Sequence, residues 1–353
     1  MQLITRRAAL GALAALSLTA APRKAIIRTI LKDMTPGELS GGATLFHEHL
    51  SFSKEFAIRI SNTAFPGVRG GTGRGPAGPK ADEKYFMEDL DLMTEELTAA
   101  KKDGVACLVD GGHADMGRAS LKPLEQLSMR SGMPIVACAG YYGQPFYTPE
   151  VIAMSEDQLA QELIQQARTT PVGAYGEIGT WNEMMTPDEK KVFRAVGKAH
   201  NATNLPIFTH TAFGHGALDQ LDVLESVGVK PQSIVIGHLG GLIDPKVEVH
   251  KQICKRGAFV GFDRQGGGGD AAQVPLVMAL VEAGYTNNLM FASDFSFAGR
   301  LKRNGGQGYS QVVTVFGPKL KEAGMKEDTL HQILVDNPRR FLAFVPKQPR
   351  GTV

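Results

Sequence analysis

The chain has 353 residues, 43% of them hydrophobic and 21% charged, with a formal net charge of +2. That is the composition of an ordinary globular protein, and the scatter of both charge signs excludes nucleic acid as its main partner. Cys107, Cys138 and Cys254 form no CxxC pair, so neither a disulfide framework nor a thiolate zinc site is indicated, and all three read as buried apolar thiols.

The first stretch, MQLITRRAALGALAALSLTAAP, has a basic start and an apolar run from Ala8 to Ala21 that closes on small residues. That is the layout of a secretory signal; a membrane span needs about 20 apolar residues. The adjacent Arg6 and Arg7 resemble a twin-arginine export signal. Residues 1–21 are therefore expected to direct the protein to the periplasm or beyond. Residues 22–353 are expected to form one domain with no stable membrane insertion.

Beyond the signal, eight short apolar runs alternate with helical patterns: GATLFHEHL, GVACLVDGG, PIVACAGYY, VGAYGEIGT, PIFTHT, SIVIGHLGG, AFVGFDR and LMFASDF. Most are continuously apolar, as parallel strands covered on both faces must be. Between them, EDLDLMTEELTAAKK places Leu90, Met93 and Leu97 on one face. TPDEKKVFRAVGKAH offers Thr186 as N-cap and Pro187 at the first helical position, with Val192, Phe193 and Val196 inward. The alternation predicts an α/β fold, a (β/α)8 TIM barrel. A doubly wound sheet would want a glycine-rich phosphate loop after its first strand, where this chain has histidines. Two glycine-rich connections, residues 61–82 and 265–272, fall on the C-terminal face, as gating loops or as insertions without function.

Polar residues close several strands. His47 and His49 end strand 1, both on one face because side chains alternate. Strand 4 gives Glu177, strand 5 His210, strand 6 His238 and strand 8 Asp294, each near the C-terminal end of its apolar run. Any one of them could be an ordinary hydrogen-bonded residue, a salt-bridge partner or a cap. Barrel closure brings all six to one mouth, where four histidines and two carboxylates suit two divalent metals. Glu177 can bridge the two, one oxygen to each. His113, His200, His215, His250 and His331 lack this placement and read as loop or helix residues, with His215 nearest the mouth.

The stretches TLFHEHL, GEIGT, PIFTHT, VIGHLGG and ASDFS, in this order, resemble the phosphotriesterase family of the amidohydrolase superfamily. AGYYGQPFYTPE and LKRNGGQGYSQVVTVFGPKL extend the likeness toward its phosphotriesterase homology branch. The resemblance implies a binuclear centre at the C-terminal face. His47, His49 and Asp294 would hold the more buried metal, His210 and His238 the more exposed one, with Glu177 as the bridge. The phosphotriesterases proper bridge with a carboxylated lysine. Glu177 stands there instead, so the site should assemble without carbon dioxide, and activity on paraoxon-type substrates comes into doubt.

Zinc is the expected metal, with manganese, cobalt or iron compatible with the same donors. Two cations sharing a water make hydroxide available near neutral pH, and Asp294 would be the catalytic proton acceptor. The expected reaction is hydrolysis of a small-molecule ester, a lactone or other carboxylic ester ahead of a phosphotriester. A metal-containing binding protein with little catalysis is the alternative of a different class. Resemblance to lactonases assigns Tyr141 or Tyr142 and Arg264 to the substrate. The tyrosines could equally be packing, and Arg264 could simply pair with Asp263. The one protein partner entertained is a second copy of the chain, as a homodimer.

Overall fold

The computed structural model describes residues 24–64, 84–112 and 121–347. The expected export signal, His113 and residues 65–82 of the first glycine-rich connection lie outside the described residues. Ser61 to Ala64 of that connection continue the helix Lys54–Ala64.

Eight parallel strands build a nearly closed barrel. They are β1 (Ala43–Glu48), β2 (Val105–Asp110), β3 (Ile135–Ala139), β4 (Val172–Gly179), β5 (Ile207–His210), β6 (Ile234–Ile236), β7 (Phe259–Phe262) and β8 (Leu289–Phe291). Each pairs with its neighbour in chain order. Almost every strand residue is buried, which is why the sequence shows continuous apolar runs there.

The helices between the strands follow from their apolar faces and caps. Pro187–Thr203 begins at Thr186, whose hydroxyl accepts the Glu189 N–H while the Glu189 carboxylate accepts the Thr186 N–H. Val192, Phe193 and Val196 of this helix are buried against the barrel. The expected connection 265–272 is shorter than its composition suggests, because a helix already begins at Asp270 (Asp270–Glu282). The buried Asp270 carboxylate accepts the N–H groups of Gly266 and Gly267 at 3.0 and 3.3 Å and pairs with Lys319 at 2.6 Å. A carboxylate at a helix start that satisfies free amides ends the loop early. No helix among the described residues is long and apolar enough to cross a membrane.

An antiparallel hairpin, Ile27–Arg28 with Asp33–Met34, covers the N-terminal end of the barrel. The Ile30 N–H donates to the carbonyl of Ile135 at the start of β3. A Cβ on Gly173, at the start of β4, would lie 2.3 Å from the Arg28 carbonyl oxygen, so only glycine lets the hairpin come this close. Ile26 pairs with Phe344, joining the two ends of the described chain on this face.

The seam between β8 and β1 is closed by Glu48, the residue between the two strand-1 histidines. Its side chain points away from theirs. Oε1 accepts the Ser293 N–H at 2.7 Å, and Oε2 accepts the Ser293 hydroxyl at 2.6 Å and the Phe295 N–H at 3.0 Å. Alongside, the Asp294 N–H donates to the His47 carbonyl at 3.1 Å. Burial pushes the Glu48 carboxyl up to about 7, and the bonds from Ser293 and Phe295 pull the other way. Glu48→Ala would strand two buried amides, and the expected loss is about 2–4 kcal/mol. Urea denaturation of the chelator-treated protein measures this without metal binding. A loss under about 1 kcal/mol would show that the seam is held elsewhere.

Candidate metal centre

Barrel closure delivers all six strand-end residues to the C-terminal mouth. Glu177 lies within β4 and His210 is the last residue of β5. His49 follows β1 directly, while His238 and Asp294 lie just beyond β6 and β8. His238 and Asp294 take left-handed backbone conformations, φ 59° and 47°, which non-glycine residues rarely adopt. Strain of this kind persists where the surroundings over-determine it, and it concentrates at functional sites.

Glu177 divides the cluster. Oε1 lies 2.7 Å from His210 Nδ1 and 3.1 Å from His238 Nε2. Oε2 lies 3.3 Å from His47 Nε2 and 3.8 Å from His49 Nε2. Asp294 Oδ1 completes the second half, 3.0 Å from His49 Nε2 and 3.9 Å from His47 Nε2.

Asp263, one residue beyond β7, orients two of these histidines. Its Oδ2 accepts from His47 Nδ1 at 2.9 Å, and its Oδ1 from His238 Nδ1 at 2.8 Å. Both rings thereby carry a proton on Nδ1 and turn Nε2 toward Glu177. The close approach needs Gly237, where a Cβ would sit 2.1 Å from the Thr209 carbonyl oxygen and 2.9 Å from Asp263 Oδ2. The Asp263–Arg264 pairing weighed from the sequence does not form. Arg264 Nε instead donates to Asp294 Oδ2 at 3.0 Å.

Tyr142 places its hydroxyl 3.1 Å from His210 Nδ1. Tyr141 is buried beside it in the chain, but Tyr142 is the strand-3 tyrosine for which a hydroxyl contact to the cluster is seen. Two aromatic contacts went unread in the sequence: Trp181 stacks on His210 with ring centroids 5.7 Å apart, and Phe52 stacks on His49 at 4.2 Å. His200 and His250 are buried in helices and bond the Leu205 and Leu239 carbonyls. His215 is exposed, and His331 ends an exposed helical turn.

The donors fit a divalent cation on three counts. His47 Nε2 is buried without a hydrogen bond. His210 Nδ1 has three polar atoms within 3.1 Å, although one imidazole nitrogen makes a single hydrogen bond. Two sets, His47 with Glu177 and His238, and His47 with His49 and Asp294, have ligand atoms within 4.8 Å of one another. Charge points the same way. Burial opposes ionisation of Glu177, Asp263 and Asp294, yet the neighbouring histidines, and Arg264 beside Asp294, hold all three carboxyls below their ordinary range. Among the described residues Arg264 is the permanent cation that bonds this carboxylate group, and cations are what the remaining negative charge favours. Burial and the neighbouring His238 lower His210 to about 4, so its lone pair is available at neutral pH. Burial also works against protonation of His47, but Glu177 and Asp263 outweigh it and raise that imidazole well above its usual value. A bound cation would replace that proton.

A (β/α)8 barrel with this histidine–carboxylate cluster at its C-terminal mouth defines the class of metal-dependent barrel hydrolases. The phosphotriesterase family model matches residues 27–342, and the chain belongs to that family. It is 32% identical over 314 residues to the phosphotriesterase homology protein of Escherichia coli K12, covering 85% of this chain and 97% of that one. It is 26% identical over 353 residues to the N-acetyltaurine hydrolase of Danio rerio, covering 90% and 98%. Among solved structures, a lactonase from Listeria monocytogenes superposes with a TM-score of 0.76 at 25% identity, covering 91% of this chain and all of that one.

Metal-supplemented protein should return close to two equivalents of divalent metal per chain in elemental analysis, with no bicarbonate needed for loading. A reproducible value of one or none would contradict a site divided by Glu177. Asp263→Ala should weaken metal binding about 10–100-fold in chelator competition, because His47 and His238 lose their fixed orientation. Unchanged affinity would reduce Asp263 to a packing role.

Proposed function

We propose that this protein is a hydrolase using two divalent metals to cleave a carboxylic ester, a lactone foremost. The observation that carries the reading is the division of Glu177, whose two oxygens face two different sets of nitrogens. In this reading His47, His49 and Asp294 would hold one metal and His210 and His238 the other, with Glu177 shared between the two. Zinc suits these donors, and manganese, cobalt and iron are compatible. When bound, the metals supply Lewis acidity and a water that ionises near neutral pH.

The chain's own groups do the rest. Asp294 takes the attacking water's proton at Oδ2 and passes it to the leaving alkoxide. Arg264 donates to that same oxygen and keeps the carboxylate ionised. Burial, with Glu177 and Asp294 nearby, holds the Tyr142 hydroxyl well above the usual phenol range, so it stays a donor for the ester carbonyl. The preference for a lactone rests on the likeness to the Listeria lactonase and on Tyr142 and Arg264 at the site. The likeness to N-acetyltaurine hydrolase brings an N-acyl bond into range, and a phosphotriester is the remaining alternative. Residues 1–21 retain the reading of an export signal.

A metal-loaded screen across lactones, aryl esters, N-acetyl amides and phosphotriesters tests the reading. Lactone or ester turnover should lead. Preference for another class overturns the substrate assignment, and no turnover of any favours a metal-binding protein without catalysis. Asp294→Asn should fold yet lose about 10²–10⁴-fold in kcat, since an amide cannot accept the proton. Near-normal turnover with full metal occupancy would remove Asp294 from that role.

Arg264→Ala should lower lactone kcat/KM about 10–100-fold, or about 1.4–2.8 kcal/mol, with metal content unchanged. It also removes a positive charge that holds Asp294 low. The Asp294 carboxyl should then titrate higher, and the acidic limb of the pH–rate profile should move to higher pH. A limb that stays in place would show that Arg264 serves the substrate alone.

A further inference from the structure

Three consecutive connections on the mouth of the barrel each leave one large apolar side chain in solvent. Met184 follows β4 and is 77% exposed, Phe213 follows β5 and is 64% exposed, and Ile243 follows β6 and is 57% exposed. The three connections touch. The Glu183 carbonyl oxygen lies 3.6 Å from where a Cβ of Gly216 would stand, and Phe213 Cα lies 3.2 Å from the same point on Gly241. Leu242 packs directly against Gly214. The apolar band also reaches the chemistry. Phe213, at a left-handed φ of 55°, has the Arg264 guanidinium 6.0 Å from its ring centre, and Arg264 bonds Asp294.

We propose that Met184, Phe213 and Ile243 form a specificity-determining subsite for an apolar chain on the substrate, running from Arg264 outward over the β4, β5 and β6 connections. The inference rests on the hydrolase reading above and deepens it: the preferred ester carries a hydrocarbon group several carbons long. Large apolar side chains exposed on three adjoining connections beside the site form a patch of the kind that marks a binding surface. Its continuity with Arg264 selects the substrate as occupant, because a partner protein or membrane seated there would cover the mouth.

The test is a homologous series of lactones with saturated tails of zero to eight carbons, assayed with the metal-loaded protein. Each methylene removed completely from water is worth roughly fourfold, and partial cover about twofold. The wild-type ratio of kcat/KM for the longest to the shortest member should therefore exceed about 10-fold. It should fall about 10-fold in Met184→Ser/Phe213→Ser/Ile243→Ser. Should the triple variant fail to fold, Met184→Ser and Ile243→Ser serve singly, each with a smaller fall in the same ratio. Calorimetric binding of straight-chain alkanoates of matching length gives a readout independent of turnover. If no ester is hydrolysed while alkanoates still bind more tightly with length and the variants flatten the trend, the ester assignment fails and the subsite stands. If esters are hydrolysed with no chain-length trend, or the trend survives the variants, the subsite is overturned. A change in self-association or vesicle binding without a change in the ratio overturns it as well.

Discussion

Three carboxylates, Glu177, Asp263 and Asp294, share one small region at the mouth of the barrel with, among the described residues, the guanidinium of Arg264. Charges of one sign held this closely away from bulk water repel strongly, and histidines and Arg264 offset only part of that repulsion. The rest of the mouth is arranged around this imbalance. Asp263 spends both oxygens on His47 and His238, Asp294 is held between His49 and Arg264, and Glu177 reaches both halves of the cluster. A fold that keeps so much negative charge at one point is suited to cations that arrive from outside.

The supporting structure holds these groups still. Glu48 and Asp110 anchor the segments on either side of His49. Glu48 locks β1 to the end of β8, and Asp110 accepts the Leu50 N–H at 2.7 Å and the Ser51 hydroxyl at 2.6 Å. The left-handed turns at His238 and Asp294 then aim side chains inward from beyond their strands. Strain at those residues is tolerated because Asp263 receives the His238 N–H and the His47 carbonyl receives the Asp294 N–H.

The barrel was legible because parallel strands covered on both faces leave continuous apolar runs, and eight such runs alternating with capped helices allow few other folds. The six strand-end residues were legible for a related reason: a charged or imidazole side chain closing an apolar run has nowhere to go but the mouth. Asp263 obeys the same rule, yet sequence adjacency to Arg264 suggested a pair. Neighbouring residues at a strand end face opposite ways, and closure of β7 onto β8 gives Arg264 a better partner in Asp294. Glu48 sits between two histidines, and nothing local in the sequence marks its role. Its value depends on Ser293 and Phe295, some 245 residues away. The helix starting at Asp270 was obscured by a glycine run whose amides are satisfied by one buried side chain.

The chain contains a single tryptophan, and it lies face to face with His210, the planes only 10° apart. That indole is edge-on to Tyr142 and Phe146 as well, so it is held in one orientation by three aromatic neighbours. The protein's tryptophan emission therefore comes from one fluorophore stacked on an imidazole of the cluster, ring centres 5.7 Å apart. Whatever polarises or immobilises that ring will register in its wavelength and lifetime, with no label introduced and no other indole to dilute the signal.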